Sequence, residues 1–354
     1  MFEVSFNYSW LPGQPVNKSG EAQLFAMLEG IHKDGSLRAA VNRAGLSYRY
    51  AWGLIGRWEA LFGQKLVIMQ RGRGTHLTPL GEKLLWAQQR VQARLAPQIQ
   101  SLSAELEREL AGVLDVDAMR ITMSASHDLA LAGLRDFLLK QKGPRLDIRF
   151  QGSADSLRAF GAKQTEMAGF HISPLLEADL DQFRQWLKPR TSVLIRFATR
   201  SQGLMVAPGN PKRINALADL AHTRARFVNR QPGSGTRMAL DHLLTQADID
   251  TRHINGYDQE EYTHLAVAAT VASGHAEAGL GIEAAARHFN LDFVPLFSED
   301  YYFACRREFL DNPKAVDLLE LMRKTSLRNA LRKLPGYDLA GIGETRDPEA
   351  VFRK

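Results

Sequence analysis

The 354-residue sequence holds a single cysteine, Cys305. One thiol excludes an intramolecular disulfide framework, a tetrathiolate zinc site and a Cys-x-x-Cys redox pair, and it favours a reducing compartment. No uninterrupted apolar run approaches the roughly twenty residues of a membrane span. The N-terminus lacks the basic start and apolar core of an export signal, so the expected location is cytoplasmic, with no membrane partner. Low-complexity tracts are also missing, and 45% hydrophobic with 24% charged residues is the composition of an ordinary globular chain that can bury real cores.

Charge excess is missing from most of the chain as well. The net charge is +6, and residues 1–100, with 12 Lys and Arg against 6 Asp and Glu, hold all of it. The remainder balances at 33 of each sign. A basic head on a neutral body suggests a polyanion partner for the head, because neutralising phosphates releases counterions.

Within that head, Leu24, Phe25, Leu28 and Ile31 share one face of a helix over residues 21–33. Gly35 breaks it, Ser36 caps a second short helix, and Gly45 stops that one. Ser47 caps a third, whose buried stripe is Ala51, Leu54, Ile55, Trp58 and Leu61 and whose other faces carry Tyr48, Arg49, Tyr50 and Arg57. Two helices joined by a glycine turn, the second opening with Ser-Tyr-Arg-Tyr, suit insertion into a major groove. A short strand, a Gly-Arg tip and a return strand follow, a wing on which Arg71, Arg73 and Thr75 join Ser36 and Ser47 as candidate DNA contacts. Further on, Leu84, Val91, Leu95, Ile99, Leu102, Leu106 and Leu110 recur at helical steps, with Pro97 expected to bend or break the helix.

From residue 118 short apolar strands alternate with helices, the mark of an α/β fold. In such sheets ligands bind beyond the carboxyl ends of strands, where helix N-termini offer N–H groups. Ser124, Ser126, His127, Ser153 and His171 fall at three such ends. After a crossing strand ending in Pro-Gly-Asn-Pro, the turn Gly233, Ser234, Gly235, Thr236 would bring backbone amides to an anion, with Arg237 close by. Neither a Walker motif nor a dinucleotide fingerprint is present. A catalytic reading would use Ser126 as nucleophile, or His127 and Asp128 as acid and base. Adjacent His and Asp point different ways at a helix start and no Gly-x-Ser-x-Gly elbow exists, so an enzyme is not expected.

Residues 35–85 resemble the DNA-binding domain of LysR-type and, more closely, molybdate-responsive ModE-type regulators, through Ser47-Tyr48-Arg49-x-Ala51-Trp52 and the closing Leu77-Thr78-Pro79-x-Gly81. Residues 119–310 resemble a periplasmic-binding-protein-like domain of the molybdate- and sulfate-binding kind, through Ser126-His127-Asp128, Gly152-Ser153, Ala168-Gly169-Phe170-His171, the 229–237 turn and Ala272-Ser273-Gly274. Position 277 carries Glu where that family's Asp would stand, leaving that carboxylate's role in doubt.

The resemblance implies an α/β chain: a winged helix-turn-helix at 18–83, a linker and dimerisation helix at 84–112, and a two-lobed domain at 118–354. Lobe I would comprise about 118–203 and 299–354, lobe II about 204–298. Two lobes would close on a small ligand, with Ser126 and Ser153 from one and Thr236, Arg237 and Tyr257 from the other. The function implied is a DNA-binding regulator, homodimeric or larger, that reads a double-stranded operator and senses a small anion. No cofactor is expected; molybdate or tungstate is the first effector by resemblance, and a small carboxylate such as formate or a molybdopterin-like compound is the second.

Overall fold

The computed structural model describes residues 4, 6, 9–10, 18–70, 74–114 and 119–352. It divides into one compact unit of residues 6–92 and another of residues 1–5 and 93–354.

In the first unit, α1 (Lys18–Asp34), α2 (Leu37–Arg43) and α3 (Tyr48–Phe62) precede a hairpin of β1 (Val67–Gln70) and β2 (Gly74–Leu77). The caps read from sequence form as expected: Ser36 accepts from Ala39 N and Ser47 from Tyr50 N, while Gly63 ends α3 at φ 65°. Leu24, Leu28, Ile31, Leu37, Ala51, Leu54, Ile55 and Trp58 are buried together. Leu61 is not among them; it is exposed.

The Leu-Thr-Pro-x-Gly motif has a direct physical account. Thr78 Oγ1 donates to Lys65 O at 2.6 Å and accepts from Gly81 N at 3.1 Å, capping α4 (Pro79–Leu114). Pro79 takes the first helical position, where no N–H is needed. A Cβ on Gly81 would lie 2.2 Å from Leu66 O, so only glycine lets the helix start this close to the strand's approach. Of the bend or break expected at Pro97, the break is absent: α4 is one helix of 36 residues with the proline inside.

Residues of α4 beyond Gln92 belong to the second unit. There β3 (Arg120–Ala125), α5 (Leu129–Lys140), β4 (Arg145–Phe150), α6 (Ser153–Gly161), β5 (Met167–Ile172) and α7 (Glu177–Arg184) build lobe I. A long strand, β6 (Ser192–Val206), crosses to lobe II, formed by α8 (Ala218–Thr223), β7 (Phe227–Arg230), α9 (Gly235–Gln246), β8 (Glu260–Glu261), α10 (His264–Ala272), β9 (Ala278–Ile282) and α11 (Glu283–His288). A second long strand, β10 (Asp292–Arg306), returns to lobe I, and α12 (Pro313–Arg323), α13 (Thr325–Leu331), β11 (Tyr337–Asp338), β12 (Thr345–Arg346) and α14 (Pro348–Phe352) complete it.

The sheet order is β4-β3-β5-β10-β6-β9-β7-β8, with β11 and β12 on β6. Strands β3, β4 and β5 are parallel, as are β7, β8 and β9, so each lobe points its strand ends toward helix N-termini. The antiparallel pair β6–β10 runs through both lobes, from Ser192↔Arg306 to Val206↔Asp292, with register shifts at Pro295/Phe297 and Tyr301/Tyr302. One apolar core forms under α5, α12 and α13 in lobe I and another under α9 in lobe II. Between them the crossing strands change composition: β6 carries Arg200 and Gln202 and β10 carries Glu299, all buried.

Candidate functional site

The candidate groups fall on two surfaces. In the first unit, the start of α3 presents Tyr48, Arg49 and Tyr50 to solvent with Ser47 exposed beside them, and Arg57 is exposed further along the helix. Tyr50 OH donates to Gln23 Oε1 at 2.7 Å, which ties its ring to α1. Ser36 is occupied as a cap and half-buried. Thr75 is buried, its N–H donating to Gly35 O at 2.9 Å, so it pins the hairpin to the turn after α1 and does not offer a free contact. Arg71 and Arg73 lie outside the described residues.

The second surface is built where the polar stretch of β6 and β10 meets the strand ends of both lobes. Asp128 caps α5, its Oδ1 accepting from Ala130 N and Leu131 N. Its Oδ2 accepts from Arg200 Nη1 and Tyr337 OH, both at 2.7 Å. Arg200 Nε donates to Glu299 Oε1 at 2.6 Å, and Gln202 Nε2 donates both to that oxygen at 2.8 Å and to Thr236 Oγ1 at 3.1 Å. Burial opposes ionisation of Asp128 and Glu299, but the Arg200 charge bonded to both overcomes it and holds both carboxyls below their usual range. Burial likewise works against Arg200, and Glu299 and Asp128 together keep it firmly protonated.

Of the three expected strand ends, Ser126 and His171 meet: Ser126 Oγ and His171 Nδ1 are 2.8 Å apart. The His171 ring stacks on Tyr301 at 4.1 Å, and Tyr301 OH donates to Ser126 O at 2.9 Å. A Cβ on Gly169 would stand 2.5 Å from that hydroxyl, which explains the glycine in this strand. Ser153 Oγ accepts from His171 N at 3.1 Å. Ser124 Oγ is buried without a hydrogen-bond partner among the described residues, and His127 lies against Phe150.

Ser126, His171 and Asp128 superficially suggest a catalytic triad, but His171 Nε2 stands 3.7 Å from Asp128 Oδ2, an ion-pair distance beyond hydrogen bonding. That carboxylate oxygen is already held by Arg200 and Tyr337. The imidazole pKa is lowered, by burial first and then by Arg200, so the group is a poor proton store.

In lobe II the structure gives Arg237 partners other than a ligand. Its Nε donates to Asp241 Oδ1 at 3.1 Å, and the guanidinium lies 4.0 Å over the Tyr257 ring. Tyr257 OH also donates to Asp241, at 2.6 Å. Ser234 caps α9 by accepting from Arg237 N, between exposed Gly233 and Gly235, and Thr236 is engaged by Gln202. The cation at the strand ends is Arg230, which closes β7. Its Nη2 donates to Tyr262 O at 3.0 Å and its Nε to Gln231 Oε1 at 3.2 Å, and among the described residues it forms no ion pair with a carboxylate.

Burial, then repulsion from Arg200, brings the Arg230 pKa down to about 10. Next to it His264, the first residue of α10, has a buried Nδ1 without a partner. Its pKa is pushed well down by burial, with Arg230, Arg200, His171 and His127 adding to the effect. His127 is lowered to about 4, again chiefly by burial. Two buried guanidiniums therefore face two carboxylates, but both carboxylates sit on Arg200, which leaves Arg230 among neutral imidazoles. The signal for this in the sequence is weak: Arg230 follows Asn229 at the end of a four-residue strand, and Arg200 lies among Thr199, Ser201 and Gln202 in a long one. A surface cavity of about 270 Å³ beside α7 and α14, lined by Arg184, Leu187 and Phe352 among others, contains none of these groups.

A family described as a PBP superfamily domain matches residues 135–323, more than half of the chain. This chain belongs to that family. Among relatives of this PBP-like chain, the uncharacterized protein YvgK of Bacillus subtilis is 31% identical over 201 residues, 55% of this chain and 64% of that one. This chain thus spans just under two thirds of that relative's length. Molybdenum-pterin-binding protein MopB of Rhodobacter capsulatus is 34% identical over 97 residues, 26% of this chain and 36% of that protein.

Solved structures with a similar fold include CbnR, a LysR family transcriptional regulator, at 16% identity and TM-score 0.40 over 85% of this chain and 99% of that one. Another is an H2O2-bound cysteine-to-serine mutant of OxyR from Corynebacterium glutamicum, at 14% identity and TM-score 0.43 over 88% and 92%. ArgP from Mycobacterium tuberculosis shows 19% identity and TM-score 0.41 over 88% and 97%. Of these three, CbnR is described as a transcriptional regulator. Likeness at these scores says nothing of the ligand of a PBP-like chain. No helix among the described residues is long and apolar enough to cross a membrane.

Proposed function

We propose that the chain is a DNA-binding transcription regulator whose two-lobed domain senses a small anion at Arg230. The observation that carries the reading is a buried guanidinium with no carboxylate of its own. Desolvating such a charge costs several kcal/mol unless something pairs with it. An anion from solution supplies that pairing, and the N-terminus of α10, where His264 borders the guanidinium, offers further donors. An anion that binds one arrangement of the lobes better than another shifts the population toward it.

The DNA-binding half of the proposal rests on Tyr48, Arg49 and Arg57, presented on a capped α3 by a basic unit. The stripe of Leu102, Leu106 and Leu110, exposed on α4, supports self-association, which would match a two-fold DNA site. Molybdate or tungstate is the first effector to consider, supported by the kinship with a molybdenum-pterin-binding protein. A small carboxylate such as formate is a second reading, favoured by the planar fork that Arg230 offers to a bidentate acid. Titration calorimetry of the full chain with molybdate, tungstate, sulfate and formate is the test. Binding of one of them without its consumption is expected; heat-neutral titrations and unchanged thermal unfolding with all four would end the anion reading.

A further inference from the structure

A long helix runs on i→i−4 hydrogen bonds, and Pro97 deletes one because it has no N–H to give to Ala93 O. The freed carbonyl is taken up from lobe II: Thr263 Oγ1 donates to Ala93 O at 3.0 Å while accepting from Ala266 N to cap α10. One residue later, Arg94 forks onto Glu261, Nε at 2.6 Å and Nη2 at 2.5 Å, and that carboxylate is buried and also accepts from Thr270 Oγ1. Both anchors therefore stand on residues 261–264.

The same four residues carry the anion site. Tyr262 O accepts from Arg230 Nη2, His264 borders the guanidinium, and the Glu261 backbone lies in register with that of Arg230 where β8 meets β7. On the far side of Pro97 the helix is held by lobe I instead. Phe150 N donates to Ser101 Oγ at 3.0 Å, and Arg145 Nη2 reaches Glu107 Oε2 at 2.6 Å. The proline thus falls between the part of α4 gripped by lobe II and the part gripped by lobe I, where a missing rung makes bending cheapest.

We infer that residues 261–264 are a clamp that converts an anion on Arg230 into a bend of α4 at Pro97, with Arg94 and Thr263 as the positioning residues. The inference rests on the anion reading above. It requires no new contact: a shift of lobe II against lobe I moves residues 93–94 relative to 101–107, and the helix must yield between them. Because α4 continues into the DNA-binding unit, the bend is the signal.

Two measurements on the full chain test it. The first needs no ligand: chemical unfolding of Thr263→Val and Pro97→Ala, alone and combined. If the proline frees the carbonyl for the threonine, the loss caused by Thr263→Val shrinks by about threefold or more in the unfolding equilibrium once Pro97→Ala restores a helical donor, and the lost α10 cap cancels between the two backgrounds. Equal losses overturn the clamp, and Thr263→Ser should behave as the parent.

The second compares Arg94→Gln with the parent, using sodium molybdate and sodium formate as probes and a duplex selected from random sequence by the parent chain. Anion affinity should change less than about twofold, while the anion-dependent change in DNA affinity should fall by roughly fivefold or more. A full DNA response in Arg94→Gln overturns the clamp alone. A parent whose DNA affinity ignores both anions overturns the coupling, the anion reading itself being decided by the four-anion titration, with the unfolding cycle still deciding whether Pro97 and Thr263 act as one.

Discussion

The N-terminal unit and the two-lobed unit both offer arginine, in opposite surroundings. Arg49 and Arg57 sit on an exposed helix face, where water screens each charge and an effect comes from their number. Arg200 and Arg230 are buried, where one charge shifts every neighbour: Arg200 helps to lower three imidazoles and holds two carboxyls ionised. In the exposed setting a guanidinium is one of several interchangeable contacts. In the buried setting its effect depends on which carboxylate stands beside it.

The largest expected effect is on the buried pair network. Arg200→Met leaves Asp128 and Glu299 without their shared cation, and global stability should fall by about 3–5 kcal/mol in denaturant unfolding. A loss no greater than that of an average surface change would mean the network is solvated. Arg230→Gln should break the comparison from the other side: stability holds or rises, because the removed charge had no carboxylate, while anion affinity drops by about thirtyfold or more in calorimetry. Parallel losses of stability and affinity would show Arg230 to be paired after all.

A pH titration comes next. His127 has a pKa of about 4, far below that of a free imidazole, so it is neutral in the folded chain at pH values around 6. An added anion favours the charged imidazole, so binding should take up protons and strengthen as pH falls, approaching about tenfold per pH unit for one proton. Calorimetry near that pH in a pair of buffers with different ionisation heats reads the uptake directly, and identical heats would refute it. The same lowered pKa implies that, without anion, stability is intact above the unfolded pKa of 6.5 and is lost as pH drops toward about 4. The smallest effect is expected at the surface: Arg49→Ala should weaken duplex binding by about 1 kcal/mol and reduce the salt slope by about one. An unchanged slope would take Arg49 off the contact face.

Much of this architecture was legible in the sequence because it is local. The caps at Ser36 and Ser47 and the Thr78–Gly81 closure depend on residues a few positions apart, and short-range sterics and hydrogen bonds decide them. The strand ends at Ser126, Ser153 and His171 were legible for the same reason. The continuity of α4 was not: Pro97 alone predicts a bend or a break, and only Thr263, far along the chain, shows why the helix tolerates it.

Which arginine is left without a carboxylate partner was likewise decided by tertiary structure. Arg230 and Arg237 stand seven positions apart around one turn, and only part of what separates them is local. The difference arises because Asp241 lies one helical turn beyond Arg237 and neutralises it, while both carboxylates near the strand ends are drawn onto Arg200 by the crossing strands. Sequence determines the local backbone and the kinds of charge available; pairing of buried charges is a long-range competition, and folding alone settles which cation is left without a partner.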